Sequence, residues 1–250
     1  MRRPLIAGNW KMHTTVAEAR QLASAVKQAT AKVSSRDVMI APPFTALAAV
    51  GELVVWSGVV LGAQNVHWDE KGAFTGEISG SMLKDVGCKM VIVGHSERRQ
   101  VFGETDAMIN RRLEGAQQFG LIPVFCIGET LQEREAGRTL EVLERQVRAG
   151  LAGIKLQDGG QLVIAYEPVW AIGTGKTATE DQAQEAHRFI RDLLGDIFEK
   201  NIADQIRILY GGSVKPENID ILMQQDDIDG ALVGGAALKA ELFERIICFK

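Results

Sequence analysis

Eight short runs of apolar residues recur along this chain, and an amphipathic stretch follows each one. The runs lie in PLIAGNW, DVMIAPP, VVLGAQN, KMVIVG, LIPVFCIG, QLVIAY, IRILYGG and DGALVGG. Between them, segments such as VAEARQLASAVKQATA and QAQEAHRFIRDLLGDIFEK carry helical periodicity. The runs are almost continuously apolar rather than alternating. Strands of that kind are buried on both faces, as in a parallel sheet covered by helices. Eight strand–helix units in 250 residues have the size of a closed (β/α)8 barrel. A doubly wound open sheet is the rival, and periodicity alone does not separate the two. The count of eight and the lack of an antiparallel edge favour the barrel. No break in composition marks a linker, so residues 1–250 read as a single barrel domain.

Composition narrows the function classes. Apolar residues make up 46% and charged residues 24%, the balance of an ordinary soluble globular chain with ample core. A net charge of −4 argues against a general nucleic-acid or anionic-membrane surface, while leaving room for a local basic pocket. Cys88, Cys126 and Cys248 lie far apart and form no C-x-x-C pair. Such an odd, sparse set suits free thiols in a reducing compartment. Met1-Arg2-Arg3 could begin an export signal, but the apolar run Leu5-Ile6-Ala7-Gly8 stops at Asn9-Trp10-Lys11, too soon for one. No run reaches membrane-spanning length. A cytoplasmic location, with no membrane partner, is the expectation.

In either α/β architecture ligands bind at the carboxyl ends of the strands, so the residues just after each run carry the information. Asn9 and Lys11 follow the first. Read alone, they fit a site that needs an amide and an ammonium, and equally a surface lysine beside a capping asparagine. After the fourth run, Gly94-His95-Ser96-Glu97-Arg98 lacks the second glycine of a G-x-S-x-G nucleophile elbow. His95 instead opens a short helix, whose positive end favours the neutral imidazole; a mere helix cap is the alternative. Glu167 closes the sixth run, where partial desolvation should make a carboxylate more basic. A salt-bridged strand-end glutamate fits equally. Gly211-Gly212-Ser213 and Gly234-Gly235 follow the seventh and eighth runs, each before a helical segment. Glycine-rich loops at helix starts let backbone N–H groups approach an anion, and the last two loops of such barrels often hold phosphate.

The stretch EPVWAIGTGKTATED ends its loop in GKT, like a nucleotide-binding P-loop. That motif needs glycine five residues before Gly175, and Trp170 stands there instead. Thr179 and Gln182 also have capping-box spacing, which starts the helix after Lys176 and Thr177. The nucleotide reading therefore fails. What remains is a loop of about ten residues, longer than most of its kind. Its apolar half, Val169 to Ile172, and flexible tip, Gly173-Thr174-Gly175, suit a lid that closes over phosphate. A loop packed permanently against its neighbour is the plainer reading.

Together these residues identify a resemblance. GNWKM, APPFT, LGAQNV, GAFTGEIS, VGHSERR, CIGET, AYEPVWAIGTGK, YGGSV and DGALVGGA match, in order, the motifs of the triosephosphate isomerase family, along nearly the whole chain. The resemblance implies a TIM barrel that interconverts dihydroxyacetone phosphate and D-glyceraldehyde 3-phosphate through an enediolate. It places the activity in glycolysis, gluconeogenesis and pentose phosphate metabolism, with no metal and no cofactor. It implies that Glu167 is the base, that neutral His95 polarises the carbonyl, and that Lys11 and Asn9 bind substrate. Gly173, Ser213, Gly234 and Gly235 would hold the phosphate, and Glu97 would support Lys11. The family is itself a standard illustration of a glutamate base, a neutral histidine and a closing loop.

The family's dimers insert the loop corresponding to Val66–Glu77, with Thr75 at its tip, into the partner near the first strand. A homodimer is therefore expected. His13-Thr14 replace the Asn-Gly that often follows GNWKM, a departure that touches the subunit contact rather than the chemistry. His67 and His187 show no metal-ligand spacing and are expected to face solvent. Cys126 matches a family position, and a small buried thiol explains it as well. Two other classes compete: a Schiff-base aldolase, with Lys11 as its amine, and a non-catalytic sugar-phosphate binder.

Overall fold

A computed structural model of the chain describes residues 2–172 and 178–250. Its eight strands are β1 (Leu5–Asn9), β2 (Asp37–Ala41), β3 (Val59–Ala63), β4 (Met90–Val93), β5 (Ile122–Ile127), β6 (Val163–Tyr166), β7 (Arg207–Tyr210) and β8 (Gly230–Val233). Each pairs in parallel with the next, and β8 returns to β1 with Leu5 opposite Gly230 and Gly8 opposite Val233. The sheet is closed, and the open-sheet rival is excluded.

The helices are α1 (Val16–Thr30), α2 (Leu47–Val54), α3 (Gly80–Asp85), α4 (Ser96–Gln100), α5 (Asp106–Gln118), α6 (Leu131–Glu135), α7 (Thr139–Gly150), α8 (Glu180–Ile197), α9 (Lys200–Ala203), α10 (Ile219–Leu222) and α11 (Ala240–Ile247). Among the described residues no helix is long and apolar enough to cross a membrane. Strand periodicity explains the two-sided burial. One set of strand residues, including Leu5, Ala7, Met39, Ile92, Cys126 and Leu209, fills the barrel interior. The alternate set, including Ile6, Ile40, Val91, Phe125 and Ile208, packs outward under the helices.

Local signals fix the helix ends. Thr179 and Gln182 form the expected capping box, so α8 begins after the glycine-rich loop. The stretch LQEREAGRTLEVLERQVRAGL is two helices rather than one. Gly137, at φ 70°, breaks it between α6 and α7, a conformation that glycine adopts at no steric cost.

Two expectations are corrected. His187 is fully buried on α8, because its residue lies on the same helical face as Ala183, Ala186 and Ile190. Burial pushes its imidazole down to about 3. His67 is also buried, packed between the rings of Trp68 and Phe74 at 4.4 and 4.2 Å. Neither histidine faces solvent.

Candidate active site

At the carboxyl end of the barrel the strand ends surround a cavity of about 590 Å³. Asn9, Lys11, His95, Glu167, Ser213, Gly234 and Gly235 all line it. The structure thus brings together every described residue expected at the site. Gly173 lies outside the described residues.

Asn9 ends β1 as a buried amide, and its Oδ1 accepts the Lys11 N–H at 3.0 Å. That bond accompanies an uncommon backbone: Lys11 has φ 50°. A left-handed conformation at a non-glycine residue costs roughly 1–3 kcal/mol and persists where the surroundings impose it. Lys11 Nζ then lies 2.7 Å from Glu97 Oε1. Burial alone would raise the Glu97 carboxyl. The hydrogen bond and charge of Lys11, with His95 and His13, outweigh it and hold the group below the usual carboxylate range.

His95 caps α4. The Glu97 N–H donates to its Nδ1 at 3.2 Å, so in the neutral ring the proton sits on Nε2. Nε2 lies 3.0 Å from Glu167 Oε1, and Glu167 Oε2 accepts the Ser96 N–H at 2.8 Å. Both side chains are almost completely shielded from solvent, His95 at 7% and Glu167 at 2% exposure. An N–H donor and a carboxylate acceptor therefore face one cavity in a dry wall. In the barrel interior, burial pushes the Cys126 thiol well above its usual value, and the charge of Glu167 adds to the shift.

The apolar start of the long loop packs down against its neighbours. Val169–Ala171 forms a 3-10 turn, and Ala171 is buried. The Trp170 Nε1–H donates to Glu129 Oε1 at 2.9 Å. Glu129 has no solvent exposure and also takes the Tyr166 hydroxyl and an Arg134 N–H. Sequence reasoning passed over Glu129, although it stands two residues after the run LIPVFCI, where the strand-end rule applies. At the other side of the cavity, Asn218 Nδ2 donates to the Ser213 carbonyl at 2.9 Å and steadies that loop.

This geometry allows a proton to be taken from carbon beside a carbonyl while fixed donors face the oxygen. The triosephosphate isomerase family model matches residues 4–250. The chain belongs to the triosephosphate isomerase family. The triosephosphate isomerase of Syntrophotalea carbinolica is 59% identical to it, covering 100% of this chain and 99% of that protein. That of Geobacter metallireducens is 56% identical over the full length of both. The crystal structure of triosephosphate isomerase from Bartonella henselae superposes with a TM-score of 0.87 at 39% identity, covering 98% of each chain. The likeness to triosephosphate isomerases therefore spans nearly the whole chain.

Proposed function

We propose that this chain interconverts dihydroxyacetone phosphate and D-glyceraldehyde 3-phosphate, with residues 1–250 acting as one domain. The observation that carries the reading is the buried pairing of Glu167 with His95 Nε2, 3.0 Å apart on the wall of a cavity that Lys11, Ser213, Gly234 and Gly235 also line. Glu167 takes the carbon-bound proton and returns it to the neighbouring carbon. The oxygen that now accepts the Ser96 N–H must first be released from it. Nε2–H of His95 donates to the carbonyl oxygen as charge develops there and moves protons between the two oxygens. Lys11 and Asn9 bind the substrate and offset the enediolate charge, and Glu97 holds the lysine in place. Preorganised donors in a dry cavity lower such a barrier more than mobile water does.

Ser213, Gly234, Gly235 and Gly173 grip the phosphate, and closure of the loop over it suppresses elimination from the enediolate. The reaction needs no metal or organic cofactor, because the base, the donor and the cation are all side chains. We assign the activity to glycolysis, gluconeogenesis and pentose phosphate metabolism in the cytoplasm. The assembly we propose is a homodimer. Met12, 94% exposed, and the partly exposed Phe74 and Met82 present apolar surface around the loop expected to enter the partner. Solution sizing should give about twice the chain mass of 27.3 kDa.

An isomerase assay on the wild type and on Glu167→Ala tests the central reading, and equal rates would refute it. No isomerisation by either protein, with phosphate-ligand binding retained, would mean a binder. The aldolase alternative requires Lys11 as a free amine, whereas its ammonium is held by Glu97. Borohydride with substrate should leave no adduct on Lys11.

A further inference from the structure

The backbone just past the end of β5 poses a problem that the active site alone does not explain. The β5–β6 pairing ends at Ile127 opposite Tyr166. Beyond it, the Glu167 N–H donates to Ile127 O at 2.7 Å and the Val169 N–H to Glu129 O at 3.1 Å. Alternate residues of a strand direct their backbone groups to opposite sides. The N–H and C=O of Gly128 must therefore point away from β6, to the side where β4 has already turned off into His95 and α4. Gly128 is buried, so both groups would be left unpaired there, at a cost of about 1–3 kcal/mol each.

Gln146 of α7 fills that place. Its Oε1 accepts the Gly128 N–H at 2.8 Å, and its Nε2 donates to the Gly128 C=O at 3.2 Å. A side-chain amide thus replaces the missing strand. Gly128 in turn lies close against the catalytic segment, leaving no room for a side chain, since a Cβ added to it would lie 1.7 Å from the Glu167 carbonyl oxygen. The next residue, Glu129, anchors Trp170 at the base of the loop. Gln146 is buried, touches no cavity group, and takes no part in the chemistry proposed above.

We infer that Gln146 is a positioning residue for the isomerisation: its amide locks Gly128, and Gly128 sets where the backbone of Glu167 sits. This inference rests on Glu167 being the base. The consequence is specific. A misplacement of the order of 1 Å at a reacting group lowers turnover by up to about a hundredfold. A partial relaxation at Gly128 should lower kcat roughly tenfold, while the phosphate contacts keep KM within about twofold.

The test uses the full-length enzyme with Gln146→Met and Gln146→Glu, beside Glu167→Ala. Methionine keeps the volume and makes neither hydrogen bond. A glutamic acid can make both when protonated; on ionisation it still accepts the Gly128 N–H and loses the donor to the C=O. The expected result is a kcat loss for Gln146→Met at a temperature where circular dichroism shows it folded. For Gln146→Glu, the ratio of its kcat to that of the wild type should climb as pH falls. A purely structural role would lower the melting temperature and leave both kcat values at the wild-type level. Should both variants turn over within twofold of wild type at every pH while Glu167→Ala is inactive, the inference on Gln146 is wrong and the base assignment stands. Should Glu167→Ala retain activity, the base assignment itself fails. If Gln146→Met does not fold, the pH ratio of Gln146→Glu decides.

Discussion

Shortening Glu167 by one methylene is the sharpest way to ask whether its reach matters. In Glu167→Asp the backbone stays where the Ile127 and Gly128 contacts hold it, and the carboxylate withdraws by about 1.5 Å, one carbon–carbon bond. The 3.0 Å contact to His95 Nε2 then opens to roughly 4.5 Å, beyond hydrogen-bond range. A base serves carbon acid chemistry only when the reacting atoms stand about 3–3.5 Å apart, and 1 Å of error costs on the order of a hundredfold. The expected loss in kcat is about 100- to 1,000-fold, which is about 3–4 kcal/mol of barrier. Lys11, Ser213 and the Gly234–Gly235 loop are untouched, so KM should stay within about threefold. The assay is steady-state isomerisation in both directions, with substrate deuterated at the transferred position to show that proton transfer limits the rate. A kcat within threefold of wild type would refute the argument that position, and not merely the presence of a carboxylate, governs turnover.

Three further outcomes follow from other parts of the molecule. His187 is buried and its imidazole is pushed down to about 3, against about 6.5 unfolded. The folded state excludes a proton that the unfolded state binds, so this stabilisation is complete above about pH 6.5 and is lost at up to about 1.4 kcal/mol per pH unit as pH falls towards 3. Urea melts at pH 7, 6 and 5 should show a steeper acid loss in the wild type than in His187→Gln; parallel curves would contradict it. Trp170→Phe removes an N–H donor from the buried Glu129 carboxylate, a bond worth about 1.5–3 kcal/mol. Phosphate released by elimination, measured per turnover, should increase, and an unchanged partition would rule out the anchoring role. Burial pushes the Cys88 thiol up to about 12 and Cys126 well above its ordinary value, so iodoacetamide should modify neither in the native protein. Mass spectrometry of the alkylated peptides checks this.

The barrel was legible because each strand is buried on both faces and so reads as an unbroken apolar run. Asn9, Lys11, His95, Glu167 and Ser213 could be found because polar residues immediately after such runs must point into the cavity or be capped. The same rule, applied to the fifth run, would have found Glu129. His187 was misjudged from its chemistry, although Ala183, Ala186, Ile190 and Leu194 mark its face of α8 as the buried one. Gln146 was out of reach, because its partner Gly128 is eighteen residues away and the need arises only where β4 leaves the sheet. The left-handed backbone at Lys11 was hidden for a similar reason: no local signal prescribes it, and the residues that hold Lys11 include the distant Gln64 and Glu97.

Proton transfer through Glu167 leaves a chemical trace that a direct hydride shift does not. Dihydroxyacetone phosphate should be converted by the enzyme in heavy water and the product trapped at once by oxidation, then examined by NMR for deuterium on the carbon next to the aldehyde. Substantial incorporation in the wild type, abolished together with turnover in Glu167→Gln, is the outcome this account requires. Product formed rapidly with only solvent-independent hydrogen at that carbon, or undiminished exchange without the carboxylate, would contradict it.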